Sequence, residues 1–115
     1  MKIAIIGSSQ YYQTKMLPDA ERLKAQGHEV KMAYMDFEPV LKMSDQPELA
    51  IVAANRDNIA WADEVCVYWD GRSMGAWGDI CMAFALGKRI TIGYLEPLSC
   101  AACLKQMAAE SHKEG

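Results

Sequence analysis

The apolar positions of this chain fall into short runs with two different periods. "KIAIIG", Lys2 to Gly7, is a continuous apolar stretch that ends in Gly-Ser-Ser, the pattern of a parallel strand buried on both faces. From Thr14 to Gln26, Leu17, Ala20 and Leu23 recur at helical spacing, Pro18 is tolerated in an early turn, and Gly27 stands where the helix should end. "HEVKMAYM", His28 to Met35, alternates polar and apolar residues and reads as a second, more exposed strand. Asp36 to Pro47 carries two prolines and several charges and reads as a loop.

Beyond that loop the helical period returns. Leu49, Val52, Ile59 and Ala62 mark one face of a helix over Pro47 to Ala62, with the polar "NRDN" expected as a turn inside it. "EVCVYW", Glu64 to Trp69, is the third strand and "RITIGYL", Arg89 to Leu95, the fourth. Between them Trp77, Ile80, Cys81 and Phe84 fall at i, i+3, i+4 and i+7, which predicts one buried helical stripe. Ser99 to Ser111 reads as a closing helix, and "HKEG" as its frayed end.

Strands alternating with helices through short connections imply a single α/β domain over residues 1–115: a doubly wound, Rossmann-like or flavodoxin-like parallel sheet of four or five strands with order 2-1-3-4. In such a sheet the order reverses between strands 1 and 3, and ligands bind beyond the carboxyl ends of those strands. That rule selects "GSSQ" after strand 1 and "DGRSMG" after strand 3. Gly7, Ser8, Ser9 and Tyr11 on one turn, and Asp70, Gly71, Ser73 and Gly75 on the other, are therefore the candidate ligand residues. Ser73 and Gly75 precede a helix whose first N–H groups and dipole favour an anion. Asp79 and Asp63 are the candidate carboxylates. Each also has a plainer account: Asp79 as an acid favoured near a helix start, Asp63 and Asp70 as connection residues. Gly7-Ser8-Ser9 lacks the spacing of a dinucleotide fingerprint or a P-loop.

Composition narrows the partners. The 115 residues make one core, and a net charge of -3 without a basic run argues against a nucleic acid polymer. No apolar run is long enough for a membrane span, and the N-terminus does not have the form of a signal sequence, so a cytoplasmic protein is expected. The four cysteines then read as reduced thiols. "CAAC", Cys100 to Cys103, has the spacing of a redox pair but follows the last strand, where a thioredoxin-like motif does not belong. Zinc would need two further ligands, and the chain has two histidines, His28 and His112. No metal and no cofactor are expected.

The stretch "IAWADEVCVYWDGRSMGAWGDICMAFALGKRI" resembles the core of the nucleoside 2-deoxyribosyltransferase-like superfamily, which includes the deoxynucleoside monophosphate N-hydrolases. Ala62-Asp63 opens the strand, Gly75 and Ala83 take the outer positions of the pattern G-x-x-x-E-x-G-x-A, and "LGKRI" closes the unit. The catalytic glutamate of that pattern falls on Asp79, one methylene shorter, and its following glycine falls on Cys81. The resemblance implies that Asp79 attacks the anomeric carbon of a nucleoside or nucleoside 5'-monophosphate, releasing the base, while Asp63 binds ribose hydroxyls or orients the nucleophile. It also implies that Ser8 and Ser73 hold the 5' end, and that the protein is a homodimer or larger even assembly. "YWDGRSMGAW" is similar to the strand–turn segment of the SLOG nucleotide-sensing superfamily, which implies a binding module that breaks no bond.

Overall fold

The computed structural model describes residues 1–32 and 47–113. Strand β1 is Lys2–Gly7, as expected from its apolar run. The chain then winds through a 3-10 turn at Ser9–Tyr11 and a π turn at Tyr12–Met16 into helix α1, Leu17–Ala25, so helical winding starts earlier than the expected Thr14. Pro18 sits in the first turn of α1, where a missing N–H costs nothing. Strand β2 is Glu29–Lys31; the rest of the expected second strand beyond Met32, and the expected loop as far as residue 46, lie outside the described residues. Helix α2 is Pro47–Trp61, β3 is Glu64–Trp69, α3 is Met74–Ala85, β4 is Arg89–Leu95 and α4 is Ala101–Ser111.

All four strands are parallel and their order is β2-β1-β3-β4, as the alternation of elements implied. Right-handed crossovers place α1 on one face and α2 and α3 on the other, where α4 also packs. On the three-helix face Ala4, Ile6, Val65, Val67, Trp69 and Ile90 pack with Ile59, Ile80, Ala83, Leu104 and Met107. On the α1 face Ile3, Ile5 and Tyr68 pack with Met16, Ala20 and Met32. Each fully buried isoleucine of β1 contributes about 1.5–3 kcal/mol relative to exposure.

Two helices differ from the sequence pattern. The "NRDN" segment is not a turn, because α2 runs straight through it. Leu49 and Val52 of its expected apolar face are exposed, and Ala54, Asn55 and Ile59 are the buried positions. In α3 the buried stripe is Ala76, Asp79, Ile80 and Ala83, whereas Cys81 and Phe84 are exposed. The spacing was right but displaced by one residue: small side chains face the sheet, the bulkier Trp77 packs half-buried at the margin of the core, and Phe84 is turned to solvent.

The amino end of the sheet is pinned by polar contacts. The Lys2 amide donates to Asp63 Oδ2 at 3.0 Å, and the Asp63 amide donates to the Lys2 carbonyl at 2.8 Å. Lys88 donates to the carbonyls of Ala60 and Ala62, at 3.1 and 2.9 Å, so a cation closes the C-terminus of α2.

At the carboxyl end β1 and β3 come together more tightly. The Ser8 amide donates to the Tyr68 carbonyl at 3.1 Å, and Gly7 adopts φ 154° with the place of a Cβ atom 2.5 Å from that same carbonyl oxygen. Gly7 thus permits the sharp exit that brings its turn beside β3. We expect Gly7→Ala to destabilise the fold by about 1–3 kcal/mol, measured as a lowered urea midpoint; an unchanged midpoint would show that the strand exit is not constrained.

Candidate functional site

The two turns selected from the sequence meet through one carboxylate. Asp70, the residue after β3, is buried and accepts five hydrogen bonds. Its Oδ1 takes the amides of Arg72 and Ser73, at 3.0 and 2.8 Å, which folds the turn before α3. Its Oδ2 takes the Ser8 hydroxyl at 2.9 Å, Gln10 Nε2 at 3.1 Å and the Ser73 hydroxyl at 2.5 Å. Burial opposes ionisation here, but the hydrogen bonds from Ser73, the Arg72 amide and Ser8 outweigh it and hold the Asp70 carboxyl well below the usual range. Asp70 is the tie between the turns, and its accepting capacity is used within the protein.

This geometry corrects the part expected of the serines. Ser8 and Ser73 lie beside one another, Oγ to Oγ 3.1 Å, with their hydroxyl protons drawn to Asp70. A hydroxyl spent in this way offers an incoming anion an acceptor, not a donor. The first turn of α3 has no side-chain cap.

A cavity of about 240 Å³ lies above the junction, lined by Gly7, Ser8, Ser9, Ser73, Gly75, Ala76 and Asp79, with Ile51 and Val52 of α2 as its far wall. Of the residues expected from the sequence, Gly7, Ser8, Ser9, Ser73, Gly75 and Asp79 are brought together here. Asp63 is not. It is exposed at the amino end of β3, at the opposite end of the sheet, and a six-residue strand puts it about 20 Å from the crevice. Its carboxylate binds the Lys2 amide instead. Tyr11 also turns away: its ring packs against Tyr94 of β4, centroids 4.9 Å apart, with the Lys15 ammonium 4.3 Å from the Tyr94 ring. Gly71, with φ 84°, backs onto Leu98, where a Cβ would lie 2.5 Å from the leucine Cβ, so its part is close packing behind the turn.

Asp79 lies one and a half turns into α3 and is 6% exposed. Among the described residues its one hydrogen-bond partner is Asn55 of α2, whose Nδ2 donates to Oδ2 at 2.8 Å and leaves Oδ1 to the cavity. Burial pushes the Asp79 carboxyl up to about 6, and the Asn55 hydrogen bond acts in the opposite direction. Asn55 was missed from the sequence because its segment read as a polar turn. Its spacing from Ile51 and Ile59, four residues on either side, was the signal that it shares their helical face.

The crevice therefore holds one saturated, firmly ionised aspartate and one buried aspartate with an oxygen facing the cavity. Comparisons with family models, with curated proteins and with solved structures find no match. Among the described residues no helix is long and apolar enough to cross a membrane.

The two aspartates give opposite pH signatures. Asp79 holds its proton more tightly when folded, so its contribution is fully present below the ordinary value of 3.8 and is lost as pH rises to about 6. Asp70, with a depressed value, stabilises above the ordinary range and loses that contribution as pH falls through its folded value. Asp79→Asn should flatten the fall in urea midpoint between about pH 4 and pH 6, whereas Asp70→Asn should cost about 1–3 kcal/mol at neutral pH. Equal effects of the two substitutions at pH 7 would refute this division.

Proposed function

We propose that the crevice cleaves or transfers the N-glycosidic bond of a nucleoside or nucleoside 5'-monophosphate, with Asp79 as the nucleophile. The observation that carries this reading is a buried carboxylate with Oδ1 turned into a cavity beside the start of a helix. It is supported by the likeness of the segment from Ile59 to Ile90 to the nucleoside 2-deoxyribosyltransferase-like superfamily. Near pH 7 a carboxyl with a value of about 6 is mostly ionised, yet more basic than an exposed aspartate. Asn55 fixes its rotamer, the orienting task that the likeness would give to Asp63.

In the reaction Oδ1 attacks the anomeric carbon as the bond to the base breaks, and the electron pair leaves with the base nitrogen, which takes a proton from water. The glycosyl ester is then opened by water or by a second base, returning the carboxylate. The first-turn amides of α3 hold the 5' end, while Ile51 and Val52 shield the ester from bulk solvent. A cavity of about 240 Å³ is small beside the ~300 Å³ lower bound of common ligand sites, which favours a wall completed by a second copy in a homodimer.

One feature favours a second reading, a nucleotide-binding module without turnover. A retaining glycosidase pairs its nucleophile with a second carboxyl group as acid, and Asp70 is too firmly ionised to serve.

Incubation with a panel of nucleosides and 5'-monophosphates, following free base by chromatography, separates the two. The parent should release base at a rate that rises through about pH 6, and Asp79→Asn should release none while keeping its ligand-induced gain in melting temperature. Asn55→Ala removes the bond that lowers the Asp79 value, so its profile should move to higher pH. No release by the parent from any compound, with a retained thermal shift, would replace the enzyme by the binding module.

A further inference from the structure

On the far side of the turn from the crevice, three thiols share one stretch of surface. Cys100 and Cys103 belong to the start of α4 and Cys81 to α3, and all three are exposed. The Cys81 thiol is pushed up first by burial and then by the negative charge that Cys103 and Cys100 would carry, so it lies within electrostatic reach of both. Cys100 is the N-cap of α4, so Cys103 stands one turn on at the third helical position. Residues three apart on a helical turn have Cα atoms about 5 Å apart, inside the 4.4–6.8 Å that a disulfide spans. The Cys103 thiol at present donates to Met107 Sδ at 3.8 Å, and a change of rotamer takes it to Cys100.

We infer that Cys100 and Cys103 form a reversible dithiol–disulfide pair whose state is read by Trp69. The partner is a low-molecular-weight disulfide of the glutathione type. The Cys100 thiolate attacks one of its sulfurs and expels the first small thiolate; the Cys103 thiolate then attacks the Cys100 sulfur and expels the second. Two protein thiols are oxidised to one disulfide and one small disulfide is reduced to two thiols, so electrons and protons balance. Cys81, on a different helix, stays reduced.

The link to Trp69 is structural. Cys100 is the one residue other than glycine with positive φ among those described, 64°, and it follows Ser99, whose carbonyl accepts the Trp69 indole N–H at 2.7 Å. Trp69, Trp77, Gly71, Met74, Ser99 and Cys100 line one cavity of about 440 Å³. The two indoles are in contact, centroids 5.3 Å apart. A bond formed at Cys100 pulls on the peptide that holds Trp69.

The test is equilibration of the full chain in reduced/oxidised glutathione mixtures, with peptide mapping of the bridge and tryptophan emission recorded together; neither readout depends on the chemistry of the crevice. The parent and Cys81→Ser should form a Cys100–Cys103 bridge that reduced glutathione reverses, with emission changing in step. Cys100→Ser and Cys103→Ser should form none and keep constant emission. A bridge between Cys81 and Cys103, glutathione left permanently on Cys100, or free thiols throughout at the most oxidising ratio would each overturn the assignment.

Discussion

The buried carboxylate of Asp70 is the contact on which the functional end of this protein depends. Two strands that diverge at a switch point leave two turns with nothing to hold them together, since the ladder between β1 and β3 ends with Ser8 and Tyr68. Asp70 fills that gap by accepting from both turns at once. It also winds the polypeptide toward α3 through the amides of Arg72 and Ser73. A buried charge is tolerated because every lone pair has a donor, and removal of one partner would leave a cost greater than the bond itself.

That tie explains why two aspartates nine residues apart behave differently. Asp70 is surrounded by donors and stays ionised; Asp79 is buried with the Asn55 amide as its one hydrogen-bond partner among the described residues, and holds its proton to about 6. The residue type is the same and the environments set them apart: one carboxylate joins the turns and the other lines the cavity. The hydroxyls of Ser8 and Ser73 are turned to Asp70.

The sheet order, the strands and the two turns were legible because a continuous apolar run and a glycine-bearing exit are local signals with few alternatives. The phase of α3 was not. Trp77 and Phe84 are more hydrophobic than Ala76 and Ala83, yet close helix–sheet approach selects small residues, a tertiary demand that periodicity alone does not weigh. Asn55 was hidden for a related reason: a polar residue on a buried face looks like a break in the helix until its partner is known. Asp63 was given a site role by the resemblance of its Ala-Asp pair, but it stands at the amino end of β3, and a strand has two ends. Only the carboxyl end of β3 faces the switch point.

The same short segment walls two cavities on opposite sides. Ser73, Gly75, Ala76 and Asp79 face the crevice, while Gly71, Arg72, Met74, Trp77 and Gly78 face the tryptophan-lined cavity where Cys100 lies. Between them stands the first turn of α3, held in front by Asp70 and supported behind by Leu98, which fills the place a Cβ on Gly71 would take. The Ser99 carbonyl holds the indole of Trp69, the residue that immediately precedes Asp70 in the chain. The crevice and the tryptophan-lined cavity are thus two sides of one structural element, because the start of α3 cannot shift toward either without opening a void or stranding a buried charge.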